Sequence, residues 1–479
     1  MITFIIALAL LIGGYMIYGR FVNNVFGPDN RETPAVTNED GVDYIVMPSW
    51  KIFMIQFLNI AGLGPIFGAI MGSQFGTASY FWIVFGTIFG GAVHDFFAGT
   101  ISIRHNGESL TQTIRRYLGK HVNWIMVFLT VLLMLLVTAV FTSGPAEIIA
   151  SLTPEWMNAY FWMIVIFAYY ILATMLPIDK VIGRVYPLFA IALIFMAVGI
   201  MIMLFIKWPD LPEIWEGWGT KYDKSPIFPM MFVSIACGAI SGFHATQSPL
   251  MARCMKSEHM CRPVFYGAMV TEGIVALVWA AAATVFFQEN GIIDAVSGKP
   301  FTGAMVATRL SKEWLGPIGG ILAILGIVAA PISTGDTALR SCRLIIADLL
   351  KIEQKNVSKR LLITVPIALC SMGFLIFSLS NADGFKIIWR YFAWTNQTLS
   401  VFTLWAITVF LARERKGMAY LISLIPAMFM TAVSVSYIVV APEGLHLVNA
   451  NPYIVGGVAA LILFSIFVYS QIKYNAKRK

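Results

Sequence analysis

The chain is a succession of apolar runs, each about as long as a bilayer is thick. Thirteen can be counted, near 2–18, 52–72, 79–103, 122–142, 159–177, 185–206, 228–249, 263–287, 314–338, 361–380, 385–411, 418–440 and 453–472. About 20 helical residues, rising about 1.5 Å each, cross the hydrocarbon core. Lipid offers no partner for a bare backbone, so segments of this length must be helices. Charged residues make up 12% of the chain, against about 25% in soluble proteins. The expected fold class is an all-α polytopic membrane protein of about thirteen spans.

The connections carry a charge bias. Alternate connections, beginning with 19–51 and including the tail, hold 25 of the 33 basic residues. The opposite connections hold Lys207, Lys221, Lys224, Lys299, Arg309, Lys312 and Lys386, and Arg390 falls inside a run. The positive-inside rule then predicts an outer N-terminus and a cytoplasmic C-terminus. No basic residue precedes the first run and Arg20 follows it, which reads as a retained helix rather than a cleaved leader. The net charge of +8 is scattered over short loops, so it does not mark a nucleic-acid partner. No connection is long enough for a soluble domain. Residues 27–48 form the longest cytoplasmic one, and the Trp- and Pro-rich 208–227 is expected at the outer interface. The five cysteines, Cys237, Cys254, Cys261, Cys342 and Cys370, form no CxxC pair and read as reduced thiols without a metal role.

Two runs are interrupted. The first contains Asn59-Ile60-Ala61-Gly62-Leu63-Gly64-Pro65 and the second Cys237-Gly238-Ala239-Ile240-Ser241-Gly242-Phe243-His244. Pro65 has no N–H to donate, and glycine permits backbone that other residues resist. Interrupted segments at corresponding places in two halves point to a carrier's binding site. Five runs follow from each interruption, and five is odd, so the halves are inverted relative to each other. The expectation is a five-plus-five inverted-repeat core with a broken first helix in each repeat. It would comprise 1–50 as an N-terminal helix and loop, 51–207 as repeat one, 228–411 as repeat two and 412–479 as two extra helices.

The chain also contains Gly41-Val42-Asp43-Tyr44, Gly90-Gly91-Ala92-Val93-His94-Asp95-Phe96, Ile101-Ser102-Ile103-Arg104, Ser333-Thr334-Gly335-Asp336-Thr337-Ala338-Leu339-Arg340 and Phe392-Ala393-Trp394-Thr395-Asn396-Gln397. With Asn59 to Pro65 and Cys237 to Gln247, these motifs together resemble the carbon starvation protein A family of membrane transporters. The resemblance implies a bacterial inner-membrane carrier, proton-driven and used when carbon is scarce. It implies peptide as the substrate, as for some relatives, or pyruvate, as for others. It also implies a fold related to the amino acid–polyamine–organocation carriers.

Ionisable groups inside spans are costly and functional by default, though structural pairs and snorkelling ends are the plain alternative. The candidate substrate contacts are Asn59, Gly62, Gly64 and Pro65, facing Ser241, Gly242 and His244 near the midplane. Asn396, beside Trp394 and Gln397, suits interhelical hydrogen bonding and is also held as a contact. The candidate coupling groups are Glu272, His94, Asp95, Asp336, Ser333 and Thr334. His94 and Asp95 point about 100° apart, so each is expected to need a partner on another helix. Glu272, at mid-depth with no cation near it in sequence, could hold a proton. Asp336 and Arg340 have the spacing of a helical ion pair. They follow Pro331 to Gly335, an expected break where Ser333 and Thr334 could hold a cation. Arg390 reads as a snorkelling end or as a grip for a carboxylate substrate.

The chain has no GxxxxGK[ST] loop, so ATP is not expected to drive it. It lacks HExxH and GxSxG, so no enzyme, cofactor or metal is expected. The partners expected are a small molecule, protons and the bilayer. The alternatives are a channel, a nutrient sensor, or a sodium-coupled carrier of another small carboxylate or amino acid.

Overall fold

A computed structural model describes residues 1–479 apart from 42, 151–152, 176–181, 219–221, 296–297, 299, 355, 381–383, 416, 448 and 478–479. Val42 and the basic residues Lys180, Lys221, Lys299, Lys355, Lys416, Arg478 and Lys479, used above, lie outside the described residues. Nine helices among the described residues are long and apolar enough to span a membrane. They are Ile2–Phe26, Ala78–Arg104, Lys120–Ala150, Tyr186–Lys207, Glu258–Asn290, Val357–Ser378, Ile387–Glu414, Leu421–Val440 and Pro452–Ala476. Two bent pairs are long enough as pairs: Ser49–Ile60 with Gly64–Phe75, at 53°, and Gly303–Leu322 with Leu325–Leu350, at 60°. Ala159–Met175 is a shorter apolar helix. The chain is therefore an all-helical, multi-pass membrane protein.

Burial sorts the helices. Pro452–Ala476 presents Tyr453, Ile454, Leu461, Ile462 and Ile466 outward, as a lipid-facing helix should. Ala78–Arg104 and Glu258–Asn290 are enclosed by others on most sides. Small residues let these two helices approach, since a Cβ on Gly273 would stand 2.6 Å from Thr87 Oγ1.

Both interruptions are present in the backbone. The first helix ends at Ile60 and resumes at Gly64 as a short π-helical turn, Gly64–Gly68. The second segment has helical turns over Ile227–Met231 and Phe232–Ser234, then leaves the helix until His244–Ala252. The break expected at Pro331 to Gly335 is absent: Ala329–Leu350 is one helix. Pro331 lies within the arm Leu325–Leu350, just after the π-helical turn Ile324–Val328. The bend lies upstream, so the apolar run read near 314–338 straddles two helices rather than forming one span.

Contacts define two rims. At one, the Met1 ammonium lies 2.6 Å from Glu213, Thr77 N donates to Trp218 O and Gln288 Nε2 to Asp210 O. At the other, Arg104 grips Glu258, with Nη2–Oε2 at 2.7 Å, and reaches Gly27 O at 3.0 Å. Asp29 N also donates to Glu258, and Arg415 lies over Phe26. Connections predicted to share a side thus meet: 19–51, 104–121, 250–262 and 412–417.

Candidate functional site

Four ionisable side chains, all fully buried, form a chain between Ala78–Arg104, the second interruption and Glu258–Asn290. His94 Nδ1 donates to Asp95 Oδ1 at 2.8 Å. His244 Nδ1 donates to Asp95 Oδ2 at 2.9 Å. His244 Nε2 lies 3.6 Å from Glu272 Oε2. Each of the two was expected to need a partner on another helix: Asp95 has one in His244, whereas His94 folds back on its own helix and reaches Asp95. Glu272, with no cation near it in sequence, faces an imidazole contributed by a distant part of the chain.

The chemistry follows from the tautomers that these contacts imply. A carboxylate that takes Nδ1–H from both rings leaves each Nε2 to accept or carry a proton. His244 Nε2 therefore faces Glu272 with a lone pair when neutral and a proton when charged. Asp95 stabilises the charged ring, as a carboxylate behind a catalytic histidine does. Neither Glu272 oxygen has a hydrogen-bond partner among the described residues, and neither does His94 Nε2. A buried polar atom left bare is expensive, which suits a group whose partner comes and goes.

The freed backbone of the second interruption is answered from neighbouring helices, as membrane burial requires. Ile235 O accepts from Trp82 Nε1 at 3.2 Å and Gly238 O from Thr87 Oγ1 at 3.2 Å. Asn396 Oδ1 accepts from Phe243 N at 2.7 Å and Ser241 Oγ at 3.0 Å. Asn396 O accepts from Gly242 N at 3.1 Å. Gly242 is required here, because a Cβ would stand 2.4 Å from Asn396 O.

The first interruption meets Cys237 and Gly238 directly. A Cβ on Gly64 would lie 2.1 Å from Cys237 Cβ, and Pro65 Cα lies 3.8 Å from the Cβ position of Gly238. Ser241 and Gly242, expected opposite Gly62 and Pro65, are instead held by Asn396, and His244 by Asp95. Gly62 sits against Phe141 and Thr334. Thr334 Oγ1 lies 3.3 Å from Leu58 O and 3.4 Å from Asn59 O while donating to Ala330 O at 3.0 Å. Ser333 Oγ donates to Ala330 O at 2.7 Å. Both Asn59 amide atoms are buried without a partner among the described residues.

The remaining candidates lie elsewhere. Asp336 accepts from the Tyr186 hydroxyl. Arg340 exerts its charge on Asp336, as the spacing suggested, and also lies 3.6 Å from Asp43 and donates to Ala173 O at 2.7 Å. Arg390 pairs with Glu443 at 3.1 Å, a protein carboxylate rather than a substrate. Sequence reasoning missed Gln56, whose amide donates to Ser248 Oγ at 3.2 Å between the two interrupted segments, and Tyr186. A polar residue inside each apolar run was the available signal.

The sequence model of carbon starvation protein CstA matches residues 1–160, 153–311 and 301–437. The chain belongs to this family. A membrane protein of Haemophilus influenzae without an assigned function is 40% identical to it over 62% of this chain and 94% of its own. The peptide transporter CstA of Campylobacter jejuni is 25% identical over 94% of this chain and 82% of its own. The pyruvate/proton symporter BtsT of Escherichia coli is 27% identical over 56% of this chain and 46% of its own, so the match spans under half of that symporter. Solved structures share the fold of this CstA family member. A manganese transporter of Eremococcus coleocola superposes with TM-score 0.56 at 12% identity, over 91% of this chain and 97% of its own. A Na+-coupled sialic acid symporter gives 0.53 at 14% identity, over 96% of each. At such identities the likeness is one of fold alone.

Proposed function

We propose that the chain is a secondary carrier that imports a small carbon source, a peptide or pyruvate, together with protons. The observation that carries this reading is the fully buried Asp95–His244–Glu272 relay, which ties a spanning helix to the second interruption. A proton arriving on Glu272 passes to His244 Nε2, and Asp95 holds the resulting imidazolium. Ionised Glu272 is then tolerated beside that cation, so the proton leaves no isolated charge in the core. His94 and Asp336 are further carriers in this reading. Substrate binds beside the two interruptions, with Asn59 as its polar contact and Gly62, Gly64, Pro65, Ser241, Gly242 and Asn396 shaping the backbone there.

The same reading counts thirteen spans: the nine helices, the two bent pairs, Ala159–Met175 and the segment 227–252. Five of them, in 51–207, and five, in 228–411, form inverted repeats. The N-terminus lies outside, the tail is cytoplasmic, and the carrier works in the bacterial inner membrane when carbon is scarce. The names of relatives support peptide and pyruvate as substrates and protons as the driving ion. Thr334 beside the carbonyls of Leu58 and Asn59 favours a second reading, a sodium site at the first interruption.

Uptake into proteoliposomes tests these readings. Radiolabelled pyruvate and alanyl-alanine are offered under a pH gradient, a sodium gradient or neither. Saturable accumulation of one of them under the pH gradient alone is expected. Accumulation that follows sodium and ignores pH moves coupling to Thr334, and unsaturable flux in every condition means a channel.

A further inference from the structure

The rim that carries Arg104 and Glu258 also holds a polar cavity of about 330 Å³, separate from the buried relay. It lies where three helices end. Arg104 closes Ala92–Arg104, Arg253 follows His244–Ala252, and Asp348 stands near the end of Ala329–Leu350. Tyr44, from the long connection after the first helix, completes the wall.

Most charges around the cavity are already spent. Arg104 is matched by Glu258 and Arg116 by Glu108. What remains is one cation and one anion. Arg253 is 8% exposed. Its Nε donates to Gly107 O at 3.0 Å, and its guanidinium lies 5.0 Å from the Tyr44 ring centre. Its terminal nitrogens have no acceptor among the described residues. Asp348, with the Ser109 hydroxyl beside it, lines the same cavity. It is exposed and feels the charge of Arg253, and no salt-bridge contact within 4.0 Å joins the two among the described residues.

We propose that this cavity binds a small zwitterion of the α-amino acid type, its carboxylate on Arg253 and its ammonium on Asp348. A simple carboxylate would engage Arg253 alone, whereas a zwitterion gains a second charged contact through its ammonium on the exposed Asp348. A phosphate would set its second charge against Asp348 and Glu108. The volume lies at the small end of ligand sites, about 300–1,000 Å³, and so suits a single amino acid rather than a longer peptide. Arg offers the carboxylate a planar pair of donors. The site is independent of the transport reading, because it is defined by equilibrium binding.

The test uses the full-length protein in detergent, with radiolabelled L-alanine as the probe and acetate and methylamine as half-probes. Saturable L-alanine binding is expected, with each half-probe at least about tenfold weaker. Asp348→Asn and Arg253→Gln should each weaken L-alanine by about tenfold or more. Asp348→Asn carries the decision if Arg253→Gln is not monodisperse. Gln112→Cys places a thiol on the cavity wall, and L-alanine should protect it from maleimide. The proposal is overturned if L-alanine does not bind saturably, if acetate binds as tightly as L-alanine and Asp348→Asn changes nothing, or if bound L-alanine leaves the Gln112→Cys thiol open to maleimide.

Discussion

Asp95 Oδ2 and His244 Nδ1 lie 2.9 Å apart, although Asp95 sits deep inside a continuous helix and His244 opens the helix that follows a break. The contact fixes which His244 nitrogen faces Glu272. It therefore sets which atom can exchange a proton with that carboxyl.

Glu272→Gln keeps the shape of the side chain and removes its titration. It should abolish accumulation driven by a pH gradient while leaving exchange of substrate across the membrane. Counterflow and gradient-driven uptake, measured on the same vesicles, check this. Unchanged accumulation with an unchanged pH profile would make Glu272 a structural group.

The contact between Gly64 and Cys237 predicts a repairable lesion. A methyl at Gly64 would overlap the Cys237 side chain, and such overpacking costs roughly 1–3 kcal/mol. Gly64→Ala should lower the melting temperature in detergent, and adding Cys237→Gly should restore most of it. No recovery in the double variant would place the strain elsewhere.

His105 lies just beyond Ala92–Arg104, and its Nε2 meets the Tyr117 hydroxyl at 2.7 Å. Burial first, then Arg116, lowers its pKa below the ordinary 6.5. Between the folded value and 6.5 the unfolded chain takes up the proton and the folded chain does not. Its contribution is thus present above about pH 6.5 and is lost as pH falls toward the folded value. His105→Gln should flatten the decline of melting temperature below pH 6.5; an identical decline in both proteins contradicts this.

Orientation is open to direct labelling. Trp215 and Met418 are well exposed, on opposite rims. An impermeant maleimide added to whole cells should modify Trp215→Cys and spare Met418→Cys. The reverse pattern would mean that the span count behind the charge bias is wrong.

The two interruptions were legible because glycine and proline advertise themselves within an apolar run. Glu272, His94, Asp95 and His244 were legible as isolated polar residues, but their grouping was not. It depends on which helices pack together, and no spacing in the chain brings residue 95 to 244 and 272. The His94–Asp95 contact was misjudged because helical angles describe Cα–Cβ directions, whereas an imidazole can swing back over a neighbour. Pro331 was misread because the bend it was taken to mark lies upstream, between Leu322 and Leu325. Cys237 gave no hint of its place, which is to pack against Gly64 and to meet Asn396 and Ser241 through its thiol.

The Asn396 clamp has a mechanical consequence. Its carbonyl and side chain hold four groups of the second interruption, those of Cys237, Ser241, Gly242 and Phe243, and Gly242 leaves no slack at the joint. Pulling Gly384–Glu414 away from that segment would strip several hydrogen bonds at once in a medium with no water to replace them. The two therefore travel as a single lever.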